Sequence, residues 1–289
     1  MDFLSPSRWS EALAAKAEVP EAVPITGGTD VMVELNFDRR RPPALLDLTR
    51  VADLARWDTA DGRVRLGAGV SYTRVIEELG DRLPGLAMAS RTVGSPQIRN
   101  RGTVGGNLGA ASPAGDAHPP LLAGETEVEV ESVRGARRIP IAEFYTGVKR
   151  NALEPDELIK AIWVTPPAGP QQFCKIGPRN AMVIAVTAFA LALHPDRRSV
   201  GTGIGSAAPT PRRAPEAERM LAGEIEAAGL WESRRPLPDS LTRTFAERVQ
   251  AAATPIGDVR GSADYRLHTL SVMARRALTW AWNDYQKAA

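Results

Sequence analysis

The chain has 289 residues, of which 43% are hydrophobic and 24% charged, and its 36 basic and 34 acidic residues leave a net charge of +2. This composition is ordinary for a globular protein with one large or two smaller domains, and the near balance of charge gives no basis for nucleic-acid binding. A single cysteine, Cys174, excludes a disulfide and a cysteine-ligated iron–sulfur cluster or zinc site within the chain.

The first elements predict a βαβ unit. We expect a helix over residues 7–17, a strand over 22–25, a helix over 31–37 and a strand over 44–48. A Gly27-Gly28 turn separates the first strand from its helix, and Asp30 or Thr29 suits the N-cap position of that helix.

The next region begins near residue 58. A strand over 63–69 precedes two helices, one capped by Ser71 and running through residue 79, the other over 83–93. Residues 101–116, RGTVGGNLGAASPAGD, are predicted to form a glycine-rich loop, which leads to a short apolar helix over 121–123. Strands are then expected over 127–133, 137–141 and 157–164, the first with clean alternation of apolar and charged residues.

The proline-rich segment TPPAGP, residues 165–170, is the best candidate for a domain boundary. Beyond it the pattern predicts strands over 173–176, 182–193 and 200–205, the second uniformly apolar and therefore buried on both faces. Helices are expected over 214–228, 245–253 and 264–285.

Two glycine-rich stretches, PITGGTD around Gly27 and the segment around Gly105-Gly106, are candidate binding loops. Tight turns leave successive backbone N–H groups free, and such groups bind anions. The plain alternative is a pair of surface loops. Neither stretch matches G-x-G-x-x-G or a P-loop with its lysine, so we expect neither a standard Rossmann site nor a nucleotide-hydrolysing P-loop. Two diglycine turns, each flanked by hydroxyl side chains, suit an extended ligand with two phosphates.

The N-terminal residues lack a basic segment followed by an apolar core, and the longest apolar run is too short to span a bilayer. We therefore expect a cytoplasmic protein that binds no membrane. The three histidines, His118, His194 and His268, lie far apart and show no metal-ligand spacing, so we predict no metal site in this chain.

Five landmarks occur in order: PITGGTD, RNRGTVGGNLGAASPAGD, PDELIKAIWVT, FCKIGPRNAMVIAV and DVRGSADYRLHTLSVMARRAL. Together they resemble the flavin-binding medium subunit of the molybdenum hydroxylases, a family that includes xanthine dehydrogenases and carbon monoxide dehydrogenase. The resemblance covers nearly the whole chain, and the second and fifth landmarks are specific as a pair.

The resemblance implies an α+β fold with an FAD-binding domain of the vanillyl-alcohol-oxidase type over residues 1–168. That domain would have two subdomains, 1–57 and 58–168, and a C-terminal α+β domain with a small antiparallel sheet would occupy 169–289. By motif match, loop residues of both glycine-rich stretches would bind FAD, Ser112 and Asp116 would bond ribityl or ribose hydroxyls, Leu158 and Ile159 would pack on the adenine end, and Lys175 would lie near the flavin. The full set of expected cofactor-binding positions is Pro24, Ile25, Thr26, Gly27, Gly28, Thr29, Asp30, Val31, Gly102, Thr103, Gly105, Gly106, Asn107, Gly109, Ser112, Asp116, Leu158, Ile159 and Lys175.

The resemblance also implies an oxidoreductase assembly. A small partner subunit would carry two [2Fe–2S] clusters and a large one the molybdenum cofactor, arranged as a dimer of heterotrimers. Electrons would pass through the clusters to FAD and on to NAD⁺, oxygen or a quinone, with no catalytic side chain needed in this chain. Two alternatives stay open: a stand-alone flavin oxidase, and a scaffold that kept the fold without flavin.

The glycines give a direct expectation. If they allow the backbone to approach FAD, valine at Gly28 or Gly105 should abolish flavin retention while leaving the fold largely intact.

Overall fold

The computed structural model describes residues 1–288 and begins with a small parallel sheet. Its elements are β1 (Asp2–Leu4), α1 (Trp9–Glu18), β2 (Val23–Ile25), α2 (Val31–Asn36) and β3 (Ala44–Asp47), followed by a 3-10 turn at Ala52–Ala55. Strand β3 lies between β1 and β2 and is parallel to both. The predicted βαβ unit is confirmed, because α2 makes the crossover between parallel β2 and β3.

A second, antiparallel sheet has five strands in the order β4-β5-β10-β6-β7. This part of the chain comprises β4 (Trp57–Ala60), β5 (Arg63–Gly67), α3 (Tyr72–Glu78), α4 (Pro84–Thr92), α5 (Pro96–Arg101), α6 (Val104–Ala110), α7 (His118–Ala123), β6 (Thr126–Ser132), β7 (Gly135–Pro140), α8 (Ile141–Phe144), β8 (Tyr145–Gly147), β9 (Arg150–Asn151) and β10 (Leu158–Val164). The predicted alternation of β6 is confirmed: Val128 and Val130 are fully buried, while Glu129 between them reaches the outer face.

The two sheets share one hydrophobic core. Leu46 of β3, Leu66 of β5 and Ile162 of β10 belong to the same buried cluster, which the helices between β5 and β6 cover. Burial of this apolar area is the main force that holds the two sheets together.

The prediction of a continuous loop over residues 101–116 is wrong. Helix α6 occupies its first half, and α5, which the sequence pattern did not predict, directly precedes it. Thr103 caps α6 by accepting a hydrogen bond from the Gly106 N–H. Val104 and Leu108, one turn apart, are fully buried, and this burial outweighs the low helix propensity of the glycines.

The C-terminal part is an antiparallel sheet covered by helices. It contains β11 (Gln171–Ile176), β12 (Thr187–His194), a 3-10 turn (Pro195–Arg197), β13 (Ser199–Gly205), α9 (Pro215–Ala227), α10 (Leu230–Ser233), α11 (Asp239–Ala251) and α12 (Ala263–Lys287). Strand β12 is central and wholly buried, as predicted. Its phenylalanine and leucines join a core with α9, α11 and α12, while its alanines face α7 of the N-terminal part. One face of this sheet therefore packs on the C-terminal helices, and the other face packs on the N-terminal part through α7.

Two predicted bounds in this part are wrong. Strand β12 begins at Thr187, and Met182 and Ile184, which were expected inside it, are exposed side chains of the preceding segment. Helix α11 begins at Asp239 rather than at residue 245. Within residues 1–288 no helix combines the length and apolarity needed to cross a bilayer.

Candidate functional site

The two glycine-rich stretches meet in the folded chain. A Cβ atom on Gly27 would lie 1.9 Å from the carbonyl oxygen of Arg101, so these two backbones are in direct contact. The hydroxyl oxygens of Thr26 and Thr103 are 3.1 Å apart, close enough for a hydrogen bond. Segments far apart in sequence thus form one pair of loops at the end of the parallel sheet.

The first loop presents free backbone donors. Gly28 has a φ of +76°, a left-handed conformation that glycine adopts without strain. Within the part of the chain that the structure describes, the backbone N–H groups of Gly27, Gly28, Thr29 and Asp30 donate no hydrogen bond. Consecutive N–H groups in a tight turn form a concavity suited to an anion such as a phosphate.

The N-cap position predicted for Asp30 is confirmed, but the hydrogen bond predicted for its side chain is wrong. Asp30 does occupy the N-cap position of α2, but its backbone is helical and its side chain makes no capping hydrogen bond. A helical φ/ψ at the N-cap does not bring the side-chain oxygen over the first turn, because capping requires an extended backbone there.

The second stretch uses its first N–H groups inside the protein. Val104 N–H donates to the Val70 carbonyl and Gly105 N–H to the Ala68 carbonyl. A Cβ on Gly105 would lie 2.5 Å from the Ala68 side chain. Gly105 is therefore required for packing of α6 on the end of β5. The expectation that valine at Gly105 would leave the fold largely intact is wrong, since valine would force these elements apart.

Gly106 faces the gap between the loops instead. A Cβ there would lie 2.9 Å from the Thr103 hydroxyl oxygen and 3.4 Å from that of Thr26. The gap between α6 and the first loop is thus lined by the Gly106 backbone and by the hydroxyl groups of Thr103 and Thr26, one from each stretch. Such a surface admits a polar ligand close to the main chain.

Several buried polar atoms around these loops have no partner. Among residues 1–288, the side-chain oxygens Asn107 Oδ1, Asp116 Oδ1 and Tyr72 OH are inaccessible to solvent and make no hydrogen bond. A buried polar group without a partner costs roughly 1–3 kcal/mol of stability. Three such groups close to the two glycine-rich stretches therefore indicate a site where a bound ligand supplies the missing hydrogen-bond partners.

Lys175 and Asp116 form a buried ion pair. Their charged atoms are 2.6 Å apart, and the side chains are only 7% and 9% exposed. Lys175 also donates to the Thr92 carbonyl at 3.1 Å. Burial raises the pKa of Asp116 to about 6, while the charge of Lys175 acts in the opposite direction. The pair joins β11 of the C-terminal part to the second glycine-rich stretch.

The remaining predicted positions surround these groups at different depths. Ser112 shapes the turn before Asp116, since its hydroxyl accepts from the Ala114 N–H at 3.3 Å. Leu158 is buried in the core, and a Cβ on Gly109 would lie 3.9 Å from the Ile159 side chain, so Ile159 is the one beside α6. The positions that flank the first loop and α6 are Pro24, Ile25, Val31 and Gly102.

Sequence reasoning missed Tyr72, the first residue of α3. Its N–H donates to the Gly102 carbonyl at 3.0 Å, and its ring lies against Gly102. No local pattern marks this residue, because its place beside the glycine-rich stretch arises only when α3 packs against α5.

Replacing Thr103 by valine should weaken both the fold and the site. The change removes the cap of α6 and the hydrogen bond to Thr26, and we expect a loss of about 1–2 kcal/mol in the free energy of unfolding. If the two stretches hold FAD, as the resemblance implies, FAD affinity should fall about tenfold. Ser262→Ala is the matched control, since Ser262 caps α12 in the same way. For Ser262→Ala, denaturant unfolding should show a similar loss of stability, and a flavin titration should show an unchanged FAD affinity.

Comparisons with known proteins agree with this geometry. Residues 1–167 match the family described as the FAD binding domain in molybdopterin dehydrogenase, and residues 172–281 match the CO dehydrogenase flavoprotein C-terminal domain. A putative xanthine dehydrogenase FAD-binding subunit of Escherichia coli (strain K12) is 30% identical over 94% of this chain and 92% of the relative. A nicotinate dehydrogenase FAD-subunit of Eubacterium barkeri is 31% identical over 77% of this chain and 79% of its own.

Solved structures show the same fold. A chain of reconstituted CO dehydrogenase from Oligotropha carboxidovorans is 27% identical, with a TM-score of 0.90 over 98% of each chain. A chain of quinoline 2-oxidoreductase from Pseudomonas putida 86, at 23% identity, has a TM-score of 0.89 over 99% of this chain and 98% of that one. The expected α+β fold, with an FAD-binding domain followed by a domain with a small antiparallel sheet, is confirmed. The chain therefore belongs to the FAD-binding medium subunits of the molybdenum hydroxylases, the oxidoreductase family of xanthine dehydrogenase and carbon monoxide dehydrogenase.

Proposed function

We propose that this chain is the FAD-carrying electron-transfer subunit of a heteromeric molybdenum hydroxylase. The observation that carries the proposal is the meeting of two glycine-rich loops around free N–H groups and partnerless buried oxygens. Family membership supplies the identity of the ligand, and the arrangement fits it, because FAD has two phosphates for the free donors and several hydroxyls for the buried oxygens.

Different residues would bind different parts of the cofactor. The free N–H groups of Gly27 to Asp30 would hold the diphosphate, since neutral backbone donors in a dry site bind anions without a lysine. Thr26 would add its hydroxyl on the same side as these donors, and Thr103 and Asn107 would approach from the opposite side. Asp116 would accept from a ribityl or ribose hydroxyl, because its negative charge repels phosphate. When bound, FAD supplies the electron-transfer chemistry, and the chain binds and orients it.

The other expected positions complete this site as proposals. Ser112 would bond a hydroxyl next to Asp116, and Ile159 with Leu158 would form the apolar wall at the adenine end. Lys175, held by Asp116, would place a positive charge near the flavin. Gly102, Gly106 and Gly109 would allow the main chain to come close to the cofactor, with Pro24, Ile25 and Val31 supporting the first loop.

The partners follow from the relatives. The CO dehydrogenase relative from Afipia carboxidovorans is a medium chain, and the nicotine 6-hydroxylase relative is a medium subunit, so both belong to assemblies of several chains. We place this chain beside a small subunit with two [2Fe–2S] clusters and a large subunit with the molybdenum cofactor, in a cytoplasmic dimer of heterotrimers. NAD⁺, oxygen or a quinone would take the electrons, and the FAD-binding domain would end near residue 168.

The test is an absorption spectrum of the chain purified alone and after co-expression with its partner subunits. The lone chain should show flavin bands without an iron–sulfur shoulder. The co-expressed sample should gain that shoulder and contain two further chains. A chain that retains no flavin after incubation with FAD and removal of the free flavin, both alone and with its partners, would contradict the proposal.

A further inference from the structure

Tyr72 is a buried residue beside the glycine-rich stretches to which the proposed function assigns no contact with the cofactor. Its side chain is 3% exposed, and its hydroxyl oxygen has no hydrogen-bond partner among the residues described. Other buried tyrosine hydroxyls of the chain do have partners: Tyr145 bonds His118 at 2.7 Å and Tyr285 donates to the Trp231 carbonyl at 2.9 Å. The lack of a hydrogen-bond partner is thus specific to the surroundings of the Tyr72 hydroxyl.

That place is between the two glycine-rich stretches. The Tyr72 N–H donates to the Gly102 carbonyl, and Ser71 and Thr103 form an isolated antiparallel bridge. A Cβ on Gly102 would lie 3.3 Å from the Tyr72 ring and 3.4 Å from the Thr29 hydroxyl. The Tyr72 ring and the Thr29 hydroxyl therefore both lie beside Gly102.

The electrostatics agree with this position. Burial, and then the negative charges of Asp116 and Asp30, raise the pKa of Tyr72 well above its ordinary value. These two carboxylates belong to different stretches, so negative charge from both stretches acts on the phenol. It stays protonated at every physiological pH and is a hydrogen-bond donor throughout.

We infer that the Tyr72 hydroxyl donates a hydrogen bond to bound FAD, at an acceptor of its diphosphate–ribityl portion, and is a further cofactor-binding residue of this chain. The inference rests on the proposed function. It follows from two observations, namely a buried donor without a partner among the residues described and its position beside Gly102 and Thr29, taken together with the proposed ligand FAD. The phosphate and hydroxyl oxygens of FAD would supply the acceptor that this donor lacks among the residues described.

The test compares Tyr72→Phe with the wild-type full-length chain in two measurements. Fluorescence titration of FAD-free protein with FAD should give a dissociation constant about tenfold higher for the variant, the effect of one lost hydrogen bond. Thermal unfolding of the FAD-free protein should give a Tm equal to or above that of the wild type, because the variant removes a buried polar atom that has no partner in the described part of the chain.

Tyr285→Phe is the matched control. Its hydroxyl is bonded inside the chain, so the FAD-free Tm should fall by about 2 °C or more while FAD affinity stays unchanged. An unchanged dissociation constant in Tyr72→Phe would overturn the inference. So would a weaker affinity accompanied by a Tm loss like that of the control, since the hydroxyl would then be bonded within the protein. A wild-type chain that binds no FAD would instead refute the proposed function, and the inference with it.

Discussion

Replacing Lys175 by methionine should lower the free energy of unfolding of the FAD-free chain by about 3–5 kcal/mol at pH 8. Methionine has a similar length, but it leaves the Asp116 carboxylate buried without its cation, and an uncompensated buried charge is strongly destabilising. The substitution also removes the hydrogen bond to the Thr92 carbonyl, which couples β11 to the end of α4. Denaturant unfolding measures the loss directly.

The loss should be smaller at pH 5. The pKa of Asp116 is raised from its usual 3.8 to about 6, so the folded wild type binds the proton more tightly than the unfolded chain, and stability falls as pH rises between these two values. Removing Lys175 raises the pKa of Asp116 further and extends this fall to higher pH. The difference between variant and wild type therefore grows from pH 5 to pH 8.

The control is the double variant Asp116→Asn with Lys175→Met. It removes both charges, so part of the stability lost in Lys175→Met should return. Equal losses at pH 5 and pH 8, with no recovery in the double variant, would mean that Lys175 acts through packing alone.

Replacing Gly27 by alanine should lower the free energy of unfolding by about 3 kcal/mol and abolish FAD binding. The added methyl group would lie 1.9 Å from the Arg101 carbonyl oxygen, a backbone atom that has no flexible end to move aside. The two glycine-rich loops would have to separate, which breaks the Thr26–Thr103 hydrogen bond and moves the free N–H groups away from α6. Unfolding curves and a flavin titration of the same preparation test both parts.

Gly223→Ala is the control for this substitution. Gly223 lies in α9, and a Cβ there would have no heavy atom within 4 Å. Alanine should stabilise the helix by about 1 kcal/mol without affecting FAD, because only helix propensity changes. Full flavin occupancy in Gly27→Ala would contradict the assignment of the first loop.

Local patterns predicted the regular elements well where one face is buried. The alternation of β6 predicts one buried face, and the uniform apolarity of β12 predicts two. The structure confirms both burial patterns. Predictions failed where packing opposed local preference. Helix α6 contains three glycines that favour a loop, yet the burial of Val104 and Leu108 makes it helical. Exposed Met182 and Ile184 look like strand residues, but the pairing of β12 with β11 stops at Thr187.

The site was predictable in its parts and not in its assembly. The sequence alone determined the two glycine-rich stretches, many of the regular elements and, through the five landmarks, the family, because residue types and spacing carry that information. The tertiary structure decided that Gly27 touches Arg101, that Lys175 reaches Asp116 and that the Tyr72 hydroxyl has no hydrogen-bond partner within residues 1–288. Each of these contacts, or missing contacts, depends on how distant segments cross in the core, and that crossing is set by the burial of many side chains at once and by no local pattern.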